Sequence, residues 1–326
     1  CHISRQSGRV ARWWVKEPQS MTIFQGHFKR LLPWLILLVM GVLWGLSFSL
    51  GRLAVENGGT PLGITFWQAA ISSIILITYA KISNRNILVK LSNVLPLIII
   101  ALLGILIPSI CFYIAASHVP AGILAITVVL VPILTYCLAL LFKIESFNAL
   151  RITGVILGAV AIILLIFPED SLPTPKTAPW VLLACVSSLC YALENIFLSL
   201  KRIGNIGSLK IACSMNAKAA ILLLFLAIFF DQLFILNLPF SLLEWSVIGL
   251  GLITSIAYTL YVYTVKVSGP VFASQVGYIV TSSGVMWGIL IFDEVHSAWV
   301  WGSLFIMLIG LSLVLPKKMN NADTPQ

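Results

Sequence analysis

LLPWLILLVMGVLWGLSFSL, residues 31–50, runs for twenty positions without one ionisable side chain. At 1.5 Å of rise per residue a helix of that length reaches about 30 Å, the thickness of a bilayer's hydrocarbon core. Similar windows recur along the chain. Bounded by charges, prolines and glycines, they predict helices near 31–54, 61–80, 94–116, 120–142 and 149–167, then near 179–200, 207–230, 243–266, 270–292 and 297–315. The expectation is an all-α integral membrane protein of ten transmembrane helices.

Composition agrees. Hydrophobic residues make up 60% of the 326 positions and charged residues only 10%, with a mean hydropathy of +1.04. A soluble domain carries about a quarter charged residues, so water is the wrong solvent for this chain. The net charge of +9 does not imply nucleic acid, because the basic residues lie between apolar segments instead of forming a patch with interleaved aromatics. Cys111, Cys137, Cys185, Cys190 and Cys213 all fall inside apolar windows, where cysteine behaves as a small hydrophobe. No zinc spacing or disulfide framework is present, and the sequence implies no cofactor or metal.

Lysine and arginine set the orientation. The amino-terminal segment with Lys29 and Arg30, together with Lys81, Arg85, Lys90, Lys143, Arg151, Lys201, Arg202, Lys210, Lys266, Lys317 and Lys318, puts 17 of the 20 on one face. The other face keeps Lys176, while Arg52 and Lys218 fall within helices. Both termini are therefore expected in the cytoplasm, in an inner or plasma membrane. The expected organisation is a cytoplasmic segment 1–30, a five-helix unit 31–167, an outer linker 168–178, a second five-helix unit 179–315 and a tail 316–326. Residues 1–20 precede the first methionine, Met21, and read as lying upstream of the native start, with a basic interfacial segment around Trp13 and Trp14 as the alternative.

Five helices per unit means that the second unit enters the membrane inverted relative to the first. Matches at offsets of 147 to 150 residues point to such a duplication: Trp44 with Tyr191, Gln68 with Asn216, Tyr113 with Tyr263, Pro120 with Pro270, Glu145 with Glu294. Inverted repeats place a substrate site near the midplane between the halves.

The sequence resembles the EamA-type ten-helix members of the drug/metabolite transporter superfamily over residues 31–315. The resemblance is carried by Trp44-Gly45 with Ser47-Phe48, Pro61, Val131-Pro132 with Glu145, and Phe292-Asp293-Glu294 followed by Gly302 and Gly310. It implies a carrier of a metabolite or drug, often an exporter, built as two inverted five-helix repeats. Gln68 stands where family members commonly have an arginine, which weakens any assignment of an anionic substrate through that position. Thr281 stands where a second repeat proline would match Pro132.

Ionisable groups in hydrocarbon are costly and by default face a cavity or a partner. Glu194 is read as a proton-coupling or amine-binding group and Lys218 as a carboxylate or counter-ion group, with a Glu194–Lys218 pair as the structural alternative. Arg52 reads as an anchor at headgroup level, and Glu145 and Glu294 as solvated turn or cap residues. Gln68, Asn195, Asn216 and Gln275 need hydrogen-bond partners in apolar surroundings. Trp44, Tyr113, Tyr191, Tyr258 and Tyr278, with Trp67 and Tyr261, are aromatic candidates for an organic substrate. Trp180, Trp245, Trp299 and Trp301 read as interfacial belt. Pro108, Pro132 and Thr281–Gly284 are expected to interrupt helices near mid-span, and the Gly41/Gly45, Gly154/Gly158 and Gly284/Gly288 pairs to allow close helix packing.

No histidine or aspartate constellation and no H-E-x-x-H or G-x-S-x-G motif marks an enzyme. The reading is a secondary transporter of a small organic molecule, such as an amino acid or drug-like compound, with protons as a candidate coupling ion. A channel-like facilitator or non-transporting membrane protein is the alternative.

Overall fold

A computed structural model describes residues 19–166, 175–199, 203, 206–274 and 276–314. Among these the helices are α1 (Gln19–Glu56), α2 (Pro61–Ile82), α3 (Val94–Ala101), α4 (Ile107–Ala116), α5 (Ala121–Thr127), α6 (Leu130–Leu141) and α7 (Ala149–Ile166). They continue with α8 (Ala178–Ser199), α9 (Ser208–Phe229), α10 (Leu242–Ser274), α11 (Val276–Phe292) and α12 (Ala298–Val314). Among the described residues eight stretches are long and apolar enough to cross a membrane, α3 joining α4 and α5 joining α6 to make two of them; α11 and α12 are shorter apolar helices. The expected amino-terminal segment up to residue 18, linker positions 168–174, the tail from residue 315, and Lys201, Arg202 and Gln275 lie outside the described residues.

Local chemistry sets the helix starts. Thr60 caps α2 by accepting from the Gly63 amide at 3.3 Å, with Pro61 at the first helical position, where its missing N–H costs nothing. Ser241 and Glu244 form a reciprocal cap at α10: the Leu243 amide donates to the Ser241 hydroxyl, and the Ser241 amide donates to the Glu244 carboxylate at 2.8 Å.

Three expected boundaries differ. α1 begins at Gln19, not near residue 31, and passes through Pro33. A single proline removes one backbone bond, and the helix continues on either side of it. α10 likewise runs to Ser274, past the expected boundary at 266–270. The interruption expected at Thr281–Gly284 is absent, because α11 is continuous there. The Ser283 hydroxyl donates to the Ile279 carbonyl within the helix and reaches the Gly41 carbonyl of α1 at 3.1 Å, so the polar run braces one helix against another.

The other two interruptions are present. Pro108 has no N–H to give the Gly104 carbonyl, and the chain widens into a π turn over Leu102–Leu106 between α3 and α4. Pro132 likewise cannot bond the Val128 carbonyl, which instead takes the Val131 amide at 2.9 Å, and helix α5 ends at Thr127. Carbonyls at these breaks are met from α8: Ser187 donates to the Pro108 carbonyl and Ser188 to the Thr127 carbonyl, both at 2.8 Å. Within hydrocarbon such bonds are what make broken backbone tolerable.

The packed interior divides into two main clusters. One joins α1, α2 and α3 to α9, α10 and the start of α11, through Met40, Leu97, Ile211, Met215 and Tyr258. The other joins α5, α6 and α7 to α8, α12 and the rest of α11, through Leu124, Ile133, Leu165, Met307 and Leu311. Each therefore mixes the two halves of the sequence. α1 lies along α11 at Gly41 and Gly45, where an added Cβ would come within 2.6 Å of Ile279 and 2.8 Å of the Gly284 amide. The outer surface carries exposed Leu38, Ile74, Ile163, Phe225 and Phe305, an apolar coat fitted to lipid. Trp245, Trp299 and Trp301 are exposed near helix starts, as expected of an interfacial belt. Trp180 instead stacks on His118, with ring centroids 3.9 Å apart.

Candidate functional site

A cavity of about 180 Å³ lies where the two clusters meet. Its walls come from α1, α2, the α3–α4 break, the α5–α6 break, α8, α10 and α11. The broken helices contribute Gly104, Ser109, Thr127 and Val128, so interruption of the backbone and formation of the cavity coincide.

Two polar layers cross it. In the first, both ends of the Gln68 amide are engaged: Tyr113 donates its hydroxyl to the amide oxygen, and the amide nitrogen donates to Thr254 Oγ1 at 2.8 Å. Four residues further along α10, about 6 Å on, Tyr258 donates its hydroxyl to Glu194 Oε1. Asn195 beside it accepts from the Tyr261 hydroxyl at 2.8 Å and donates to Thr135 at 3.3 Å. Glu194 Oε2 has no hydrogen-bond partner among the described residues, although Glu194 is only 3% exposed. Its carboxyl group packs against Gly104 in the π turn, where a Cβ would stand 2.5 Å from Glu194 Cδ and 2.7 Å from Oε2. Only glycine leaves room there for the acid.

Of the expected site residues, Trp44, Gln68, Tyr113, Tyr191, Glu194, Asn195 and Tyr258 come together around the cavity, joined by Tyr261. Trp44 and Tyr261 rings lie 5.4 Å apart. Asn216, Lys218 and Tyr278 are not among its lining. Asn216 is fully buried and donates to the Ala212 carbonyl one turn back at 2.9 Å. Lys218 donates to Ser214 on its own helix, so the Glu194–Lys218 pair does not form. Tyr278 is partly buried against the second cluster, its hydroxyl without a partner. Trp67 donates to the Phe234 carbonyl at 2.9 Å, away from the lining. Ser187, Ser188, Thr254 and Gly104 were not expected in the wall. Gly104 had a legible sign, standing four residues before Pro108, where its carbonyl loses its helical donor.

A second polar cluster sits at one end of the bundle and corrects two expectations. Glu294 is neither solvated nor a free turn residue: its side chain is 6% exposed. It accepts from Arg52 at 2.6 Å and from the amides of Ala121 and Gly122, at the start of α5, at 2.7 and 3.0 Å. His296 Nε2 lies 3.3 Å from Oε2, close enough for charge attraction but too poorly aligned for a good hydrogen bond. Burial pushes this carboxyl up, but His296 and the two amides outweigh it and hold it below the ordinary value. Arg52 is no free anchor; it also pairs with Glu56 at 2.7 Å and lies 4.3 Å over the Phe292 ring. Glu145 behaves as expected, half-exposed and paired with Arg151 at 3.1 Å.

Residues 32–167 match the EamA-like transporter family. Over 296 residues the chain is 27% identical to the "Uncharacterized inner membrane transporter YedA" of Escherichia coli strain K12, covering 88% of this chain and 92% of that protein. The YedA protein of Escherichia coli O157:H7 gives the same figures. A solved crystal structure aligns over 86% of this chain and 96% of its own, with a TM-score of 0.63 at 14% identity, a likeness of fold alone.

Proposed function

We propose that this chain, an EamA-type protein of the drug/metabolite transporter superfamily, is a secondary carrier that moves a small organic molecule by alternating access. The observation that carries the reading is the cavity: it is enclosed by helices from both halves of the sequence, and its polar groups come from both. In this reading α11 and α12 complete a ten-span bundle, the two halves are inverted copies, both termini are cytoplasmic and transport runs outward.

The Glu294 cluster ties α1 and α5 to the turn after α11 on the side poor in lysine and arginine. On the same side the chain after α9 crosses to α2, where Thr60 donates to the Gln232 carbonyl and the Leu62 amide donates to Gln232 Oε1 at 3.2 Å. Opening toward that side requires these ties to part, while opening toward the other leaves them intact. Protons are the coupling ion suited to the cavity, because Glu194 is the carboxylate that lines it.

Ser109 lines the cavity and is otherwise uncommitted, which suits it to a test. In a cysteine-free background, Ser109→Cys should react with a membrane-impermeant thiol reagent from either face of sealed vesicles. Reaction from one face alone would overturn alternating access.

A further inference from the structure

We infer that the substrate is an organic amine, carried as its cation, with an apolar or aromatic body. The inference rests on the cavity being the substrate site. Three observations lead to it. First, among the described residues Glu194 is the cavity's carboxylate, and no lysine, arginine or histidine lines the wall with it. A buried carboxylate without a counter-charge is costly, so it takes up either a proton or an occupant that brings positive charge. Lys218, the cation expected to pair with it, is committed to Ser214.

Second, most of the remaining polar groups are occupied, the Ser109 and Tyr191 hydroxyls excepted. Gln68 and Asn195 have both ends of their amides engaged, whereas Glu194 Oε2 has no partner among the described residues. The one anionic acceptor in the wall therefore keeps an oxygen to offer, which suits a charged donor such as an ammonium. Third, Trp44, Tyr191, Tyr258 and Tyr261 contribute aromatic rings to the same wall. Rings of this kind attract an ammonium through the negative face of the π system, and they accept an apolar tail without demanding a hydrogen bond.

The same inventory argues against other small metabolites. A carboxylic acid would bring like charge to Glu194 with no cation to receive it. A zwitterionic amino acid would satisfy Glu194 with its amine and strand its own carboxylate.

A matched series with one ring and one two-carbon chain tests this: phenethylamine, phenethyl alcohol, hydrocinnamate and phenylalanine, titrated against the purified full-length protein by calorimetry and thermal shift. Phenethylamine should bind about tenfold or more tightly than the alcohol, the gain expected from a charged hydrogen bond with cation–π contact. Hydrocinnamate and phenylalanine should be weaker still. Glu194→Gln should abolish the preference for the amine over the alcohol.

Equal binding of the four compounds, preference for an acid, no binding of phenethylamine, or an amine preference that survives Glu194→Gln would overturn the inference. Should Glu194→Gln fail to fold, the wild-type ranking alone decides. The thiol-labelling result stands apart from this ranking. One-sided labelling with amine preference intact removes the carrier and keeps the ligand; two-sided labelling without it does the reverse.

Discussion

Two glutamates of this chain have carboxyl groups withdrawn from solvent and are treated in opposite ways. Glu294 has an arginine, two backbone amides and a histidine around it, and it joins α1, α5 and the turn after α11. Glu194 has one tyrosine hydroxyl, a glycine that steps aside for it, and no cation. A satisfied buried charge is a fixed part of the framework, because removing it strands its partners. An under-satisfied one is held at a cost that the fold must offset elsewhere, which is what a site awaiting a ligand requires.

That contrast can be broken experimentally, beginning with its largest consequence. Glu294→Ala should destabilise the protein by about 3 kcal/mol, since Arg52 loses one of two carboxylates and the α5 amides lose their acceptor. Thermal unfolding in detergent reads this directly, and an unchanged midpoint would mean that the cluster is incidental. Next, Gly104→Ala should cost about 2 kcal/mol, as its Cβ drives into the Glu194 carboxyl and the carboxyl must leave Tyr258. It should also weaken the binding of phenethylamine, which ties the π turn to the site.

Acid should reveal the Glu294 cluster. Its carboxyl is held below the ordinary value of 4.5 in the folded protein, so its contribution is complete above that value and is lost as pH falls through the lower, folded one. The unfolding midpoint of the wild type should therefore drop more steeply below about pH 4.5 than that of Glu294→Gln; parallel curves would refute the assignment. Glu194→Gln should change stability by less than about 1 kcal/mol, because only one tyrosine bond depends on the acid and its desolvation is relieved. A loss as large as that of Glu294→Ala would erase the distinction between the two acids. The smallest effect is expected of Lys218→Met, which should leave amine binding within about twofold, the side chain being committed to Ser214 outside the cavity.

These outcomes bear on how far a one-dimensional reading reaches. Position along a helix fixes depth, and Trp44, Gln68, Tyr191 and Glu194 line the cavity. It does not fix azimuth. Lys218 and Asn216 are at plausible depth but turn to their own helix, and Tyr278 turns to the second cluster. The proposed equivalence of Gln68 with Asn216, and of Glu145 with Glu294, likewise pairs positions whose surroundings differ: one of each pair is at the cavity or solvent, the other packed. Ser187, Ser188 and Thr254 gave no signal, because small hydroxyls in an apolar span can bond their own backbone and need no cavity.

Sequence by itself determined that this chain lives in lipid, where most of its helices begin, and that Pro108 and Pro132 break two of them, because hydropathy, capping residues and a missing N–H act locally. Tertiary structure alone decided which face of each helix looks inward, that Glu294 is saturated and that Glu194 keeps a free oxygen. Those outcomes depend on partners from 64 to 242 residues away in the chain. No local pattern encodes whether such partners arrive; packing settles it.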